Sequence, residues 1–218
     1  MRRGVLCGLC LLLASCSVSR PLGPPPPPPD YFTQVVPKGI RYAHNYEDRP
    51  CFSMVLGDEH WVMKEATADR ILWRRGKQVL NVYLTDNRQS GFAVSGMNDE
   101  QALNAFIGSE LEYVKPRFDV QTVRPPRTAR DHNGLWSQWS WQGHGGKMVR
   151  PGQKKPLDQQ HVIASLWLDP WVLSFDWATT DVTGNLAPTP EMIDVLESLT
   201  FQPKCFAGMR PGETWKKH

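Results

Sequence analysis

The residues with most chemistry to offer lie in one stretch of the chain. Trp136, Trp139 and Trp141 fall within Leu-Trp-Ser-Gln-Trp-Ser-Trp, and Gly143, His144, Gly145, Gly146 and Lys147 follow directly. Indole rings combine a large apolar area with a donor edge, so an exposed set of them makes a platform for a sugar, a glycan strand or a peptide. Buried, the same rings are core. On a strand over Leu135 to Gln142, Trp139 and Trp141 share one face and Trp136 takes the other. The stretch from Gly143 to Gln160 reads as a mobile loop with Lys147, Arg150, Lys154 and Lys155, suited to anionic lipid phosphates or simply to solvent. One side of an antiparallel sheet commonly meets water, and function concentrates on loops. The expected interaction surface is therefore Trp136, Trp139 and Trp141 with His144, Lys147 and that loop.

Other constellations fall away on spacing. A phosphate loop needs Gly six residues before its Lys and Ser or Thr after it, and Met148 follows Lys147. Ser95 has Ala93 and Met97 where a nucleophile elbow requires Gly. His132 and His144 with Asp131 form one group to test for convergence, and Asp58, Glu59 and His60 another. Neither has a ligand spacing such as His-Glu-x-x-His. The expectation is no catalytic set, no metal and no cofactor.

The elements that must position these residues are mostly strands. Arg70 to Arg75 and Gln78 to Leu84 flank Gly76-Lys77, and Leu80, Val82 and Leu84 put one apolar face inward. His161 to Leu168 and Trp171 to Ala178 read as a second hairpin. There Trp171, Leu173, Phe175 and Trp177 oppose Val172, Ser174 and Asp176. Its connection, Asp169-Pro170, suits a type I turn poorly, which predicts a bulge or a longer loop. Further strands are expected at Cys51 to Leu56, Phe118 to Val123 and Leu135 to Gln142. Helical spacing appears after Asn98, with Ala102, Leu103, Phe106, Ile107 and Leu111 as the stripe, and again after Thr189-Pro190 as far as Ser198. Leu199-Thr200-Phe201 closes with a short strand. Hairpins rather than βαβ crossovers imply an α+β fold, an antiparallel sheet with two main helices packed on it.

The N-terminus carries an address. Arg2 and Arg3 precede the apolar run Val5 to Ala14, and small residues follow, as in a secretory signal peptide. Ten helical residues reach about 15 Å, half of a ~30 Å hydrocarbon core, so a permanent span is not expected. The order Leu13-Ala14-Ser15-Cys16 resembles the lipobox of bacterial lipoproteins, which implies cleavage before Cys16 and a diacylglycerol on its thiol. Ser17, where an Asp would imply inner-membrane retention, implies the outer membrane, facing the periplasm. Pro24 to Pro29 form a polyproline spacer at ~3.1 Å per residue. Losing Arg2 and Arg3 leaves 23 basic against 22 acidic groups, a balance that excludes a nucleic-acid partner.

In that reading residues 1–15 are signal peptide, 16–30 the lipidated cysteine and linker, 31–205 one globular domain, and 206–218 a flexible basic tail. Cys51 and Cys205 are then the remaining cysteines. In an oxidising compartment they are expected to form a disulfide, with two unpaired buried thiols as the alternative. The bridge would close 154 residues, for which chain entropy gives ~5 kcal/mol before strain.

Over residues 50–203 the element order and the closing Pro-Glu-Met-Ile-Asp-Val-Leu-Glu-Ser-Leu-Thr-Phe resemble the PsbP-like sandwich of extrinsic photosystem subunits and small envelope lipoproteins. No catalytic motif travels with that resemblance, so it implies a fold and no substrate. The sequence as a whole points to a membrane-anchored envelope lipoprotein, a non-enzymatic binding or assembly accessory for an envelope protein or glycan. The alternative is an envelope hydrolase or glycan-active enzyme with a site assembled from distant residues. A His converging with acids would favour the enzyme, an aromatic surface the binder. Oligomeric state is not legible.

Overall fold

The computed structural model describes residues 30–46, 48–145 and 158–202. Cys16, Lys147 and Cys205, the spacer and the basic tail lie outside them. The elements in chain order are β1 (Tyr31–Val36), β2 (Gly39–His44), β3 (Phe52–Leu56), β4 (Val62–Ala66), β5 (Arg70–Arg75), β6 (Gln78–Asp86), α1 (Asn87–Ser90), α2 (Asp99–Val114), β7 (Asp119–Arg130), β8 (Leu135–His144), β9 (Asp158–Leu168), β10 (Trp171–Thr179), α3 (Pro190–Glu197) and β11 (Thr200–Phe201). They build two antiparallel sheets, one of four strands ordered β1-β2-β3-β11 and one of seven ordered β4-β5-β6-β10-β9-β8-β7. The fold is mostly antiparallel β with a few helices.

Alternation along β6 and β10 explains the stacking. Leu80, Val82, Leu84, Leu173 and Phe175 are buried on one face of the large sheet, against Tyr42, Phe52, Met54 and Leu56 of the small one. The opposite face receives α2, whose Leu103, Phe106 and Ile107 pack on Trp139, Trp141, Ile163 and Val172. That helix starts where the sequence predicts, because the Asn98 side chain accepts from the Gln101 amide at 2.9 Å and Gln101 accepts from the Asn98 amide at 3.0 Å. The same device starts α3, with Thr189 accepting from the Met192 amide at 3.3 Å and Pro190 in the first turn. Helix α3 lies on the other side of the large sheet, beside β3.

Three expectations need correction. The β9–β10 connection is neither bulged nor long: Trp171 pairs with Leu168, so Asp169-Pro170 is a two-residue turn, made possible by a cis peptide bond. The strand expected at Phe118 to Val123 runs to Arg130, absorbing Pro125 and Pro126 at a register shift between Arg124 and Arg127 on the sheet edge. The expected loop from Gly143 to Gln160 is shorter, since Gly143 and His144 close β8 and Asp158 to Gln160 open β9. The sequence reading also missed β1, β2 and β4, whose side chains lack a clean apolar alternation.

Candidate functional site

The two faces of the large sheet hold different chemistry. On the α2 face, β9 and β10 bring His161 and Asp176 together as diagonal neighbours, with Nδ1 2.9 Å from Oδ1. Trp141 stacks on the imidazole, ring centroids 4.0 Å apart and planes 9° from parallel. On β6, the strand next to β10, the Tyr83 hydroxyl donates to Glu110 of α2 at 3.1 Å, and Ser165 and Ser174 share a hydrogen bond of 2.9 Å. Burial raises the Glu110 carboxyl above its ordinary range, partly offset by the Tyr83 hydrogen bond, while the Asp176 charge adds to the rise. Burial likewise drives Tyr83 well above its usual value. These polar groups answer one another beneath a helix and an indole ring.

The face toward the small sheet is apolar, and α3 covers it only in part. Beside α3, toward β7, lies a groove of about 610 Å³ with Trp136, Ala164 and Trp177 on the sheet side and Met192, Ile193 and Leu196 on the helix side. Its size falls in the ~300–1,000 Å³ range of ligand sites. Arg127, paired in register with Gln138 on this face, stands at the rim with no ion-pair partner among the described residues. The Trp136 indole N–H likewise finds no acceptor there. Across Met192, which walls both spaces, a second recess of about 430 Å³ opens at the N-terminal end of α3. Trp61, Trp177, Gln78, Gln160 and Asn185 line it.

Between that recess and the small sheet sits a charged cluster. Arg75 donates to Asp58 at 2.7 Å and to Glu191 at 2.6 Å, and its guanidinium lies 4.7 Å from the Trp61 ring centroid. Trp61 Nε1 donates to the same Glu191 at 3.1 Å. The His60 amide and Arg75 hold the Asp58 carboxyl below its ordinary range. This cluster clamps the start of α3 to the β5–β6 hairpin.

The expected interaction surface divides accordingly. Trp139 and Trp141 are each 2% exposed under α2 and belong to the core, because the strand alternation that pairs them also turns them inward. Trp136, on the opposite face, is half-buried and walls the α3 groove. His144 pairs through Nδ1 with Asp158, its cross-strand neighbour, at one end of β8. His132 precedes the other end, about 30 Å away at ~3.3 Å per strand residue, so the two histidines and Asp131 do not converge. Asp58 and His60 do lie in one loop, where the Asp58 carboxylate accepts from the His60 amide at 2.8 Å. Cys51 is 4% exposed, and its carbonyl accepts from the Gln202 amide at 3.0 Å, three residues before Cys205.

Sequence reasoning did not find the α3 groove or the His161–Asp176 pair. The pair was within reach once a two-residue turn is granted at Asp169-Pro170, since that turn fixes the register placing Asp176 diagonal to His161. The groove had no such signal, because it depends on how far the small sheet reaches across the large one. Among the described residues no helix is long and apolar enough to cross a membrane.

No protein-family model matches the chain, and no curated protein does. Among solved structures it is similar to cyanobacterial PsbP (CyanoP) from Synechocystis sp. PCC 6803, with 10% identity and a TM-score of 0.45 over 74% of this chain and 91% of that one. It is also similar to the Ran-binding protein Mog1p of Saccharomyces cerevisiae, with 9% identity and a TM-score of 0.43 over 68% of this chain and 89% of that one.

Proposed function

We propose that the chain is a lipid-anchored lipoprotein of the bacterial envelope, held by Cys16 to the outer membrane on its periplasmic side, and that it acts as a non-enzymatic binding or assembly accessory. The finer fold reading goes with this proposal: a PsbP-like sandwich, the architecture that the element order resembles. The observation that carries the binding reading is the groove beside α3, an open apolar trough walled by Trp136 and Trp177, with Arg127 at its rim and no ion-pair partner for it among the described residues. Exposed apolar concavities of this kind mark contact sites. The Cys51–Cys205 bridge is part of the same reading, supported by the hydrogen bond that brings Gln202 onto Cys51.

Two measurements test it. Wild type should incorporate a palmitate analogue and partition with membranes, while Cys16→Ala should do neither; an unlabelled wild type contradicts the anchor. Ile193→Asp, on the exposed side of α3, should abolish the principal cross-linked product formed in intact cells. Cross-linking that is indifferent to that charge contradicts the binding surface.

The enzyme reading draws on one observation, the hydrogen-bonded His161–Asp176 pair with Glu110 close enough to feel the Asp176 charge. Against it, both members of the pair are largely enclosed and Trp141 covers the imidazole. If that pair were catalytic, His161→Gln would remove hydrolytic activity from the purified chain while leaving the fold intact.

A further inference from the structure

We propose that the groove beside α3 binds a long-chain fatty acid, with its acyl chain along the apolar walls and its carboxylate on Arg127. The inference rests on the reading of the chain as a binding protein and names the chemistry of what that surface takes.

Charge gives the groove a direction. Arg127 and Arg124 pair in register with Gln138 and Ser140, alternate residues of β8, so both stand on the α3 side of the sheet edge. Both are exposed, and neither has an ion-pair partner among the described residues. The other charges on this rim are engaged: Arg130 lies 3.4 Å from Asp99, and the Asp131 carboxylate accepts from the amides of Asn133 and Gly134. On the facing wall Glu197 closes α3, exposed and without an ion-pair partner among the described residues. An anionic head is therefore drawn to the β7 rim and repelled from the helix wall. A guanidinium holds a carboxylate there through two parallel hydrogen bonds.

The space between is walled by hydrocarbon and indole, and its form selects among apolar occupants. An extended peptide brings an amide and a carbonyl with every residue. Adding a strand to β7, the sheet edge, would answer them, but Pro125 and Pro126 remove two donors from that edge beside Arg127. An α-helix ~10 Å across would fill a space of about 610 Å³ with only ~8 Å of its length, about one and a half turns. That is too short for the i, i+3, i+4 and i+7 anchors of a helical partner. An acyl chain has no polar group except its head, needs no backbone partner and is thin enough to lie lengthwise in the trough. Each methylene it buries is worth about fourfold in affinity.

The test is calorimetric titration of the full chain carrying Cys16→Ala, so that no acyl group of its own anchor competes. Myristate should bind saturably, one molecule per chain, and perturb tryptophan fluorescence. Octanoate, six methylenes shorter, should bind at least about tenfold more weakly. Tetradecyltrimethylammonium, of similar chain length and opposite charge, should also bind about tenfold more weakly than myristate. Arg127→Gln, at an exposed position where folding is not at stake, should weaken myristate about tenfold and leave the cationic amphiphile no weaker. The proposal is overturned if myristate does not bind, if the cationic amphiphile binds as tightly, or if Arg127→Gln binds myristate as wild type does. A photoreactive residue at position 193 that cross-links a protein in intact cells, while the purified chain binds no myristate, would assign the groove to a peptide; the proposal then falls and the accessory reading stands. Myristate binding that depends on Arg127, beside a cellular cross-link indifferent to Ile193→Asp, has the opposite meaning.

Discussion

The two faces of the seven-stranded sheet use polarity in opposite ways. Under α2, five titratable or hydroxyl-bearing strand residues (Tyr83, His161, Ser165, Ser174 and Asp176) and Glu110 of the helix are engaged with one another beneath a stacked indole. Around α3, the walls are apolar or aromatic, and Arg127 stands exposed at one rim with no ion-pair partner among the described residues. The contrast teaches that a charged cluster is poor evidence of a site when its members satisfy each other, whereas an exposed cation beside an open apolar volume points outward. Orphaned atoms alone are not enough. Among the described residues Trp136 Nε1, Trp139 Nε1 and Gln160 Oε1 all lack a partner, yet all three atoms are enclosed.

The largest effect that could break this comparison is on stability. Trp139→Ala should cost about 3–5 kcal/mol, the usual penalty for emptying a buried aromatic position, and Trp136→Ala only about 1–2 kcal/mol, because part of that ring already meets solvent. Equal losses in denaturant unfolding would mean that both indoles are core and that the groove does not exist as described.

Acid should act next most strongly, and it sharpens the contrast between buried groups. His44 is fully enclosed among Tyr42, Tyr46 and Phe52, and burial lowers its pKa from 6.5 to about 4, partly offset by the Ala68 carbonyl and Asp69. The unfolded chain takes up that proton first. Stability should therefore fall by about 3 kcal/mol as pH drops from 6.5 to about 4, with no further loss from this group below that. A denaturation midpoint unchanged across that window would refute the burial of His44.

Glu110 works with the opposite sign. Its raised pKa means that the folded state binds the proton first, so its contribution grows as pH falls toward the ordinary carboxylate range and is lost as pH rises through the folded value. Glu110→Gln, which keeps an acceptor for Tyr83, should bring a small gain at pH 7, below the ~1 kcal/mol typical of point substitutions, and should steepen the acid loss. A marked loss at pH 7 would show that the carboxylate charge is needed, contrary to its place in a closed structural network.

How much of this was readable beforehand follows from the range of the interactions. Both hairpins, the Asn98 and Thr189 caps and the face assignments along β10 are set by neighbours a few residues apart, and the residue pattern states them. The separation of Trp136 from Trp139 and Trp141 was legible for the same reason. What the pattern could not state was which face would be covered, since α2 closes one side from residues 99–114 and Trp136 on the other is only partly buried against the core shared with the small sheet. The cis bond at Asp169-Pro170 was equally out of reach, because propensity describes Pro in its usual trans geometry. Strand β7 was read too short because Pro125 and Pro126 argue against a strand anywhere but an edge, and edge position is a property of the whole sheet.

The central claim is that the molecule meets its partner beside α3 and not across α2. Photoreactive residues placed one at a time at Ile193, 44% exposed at the groove, and at Tyr113, 56% exposed on α2, test it directly in intact cells. The account predicts a discrete cross-linked product from position 193, lost when Arg127→Glu is added, and none of comparable yield from position 113. A product from position 113 with position 193 silent would contradict it.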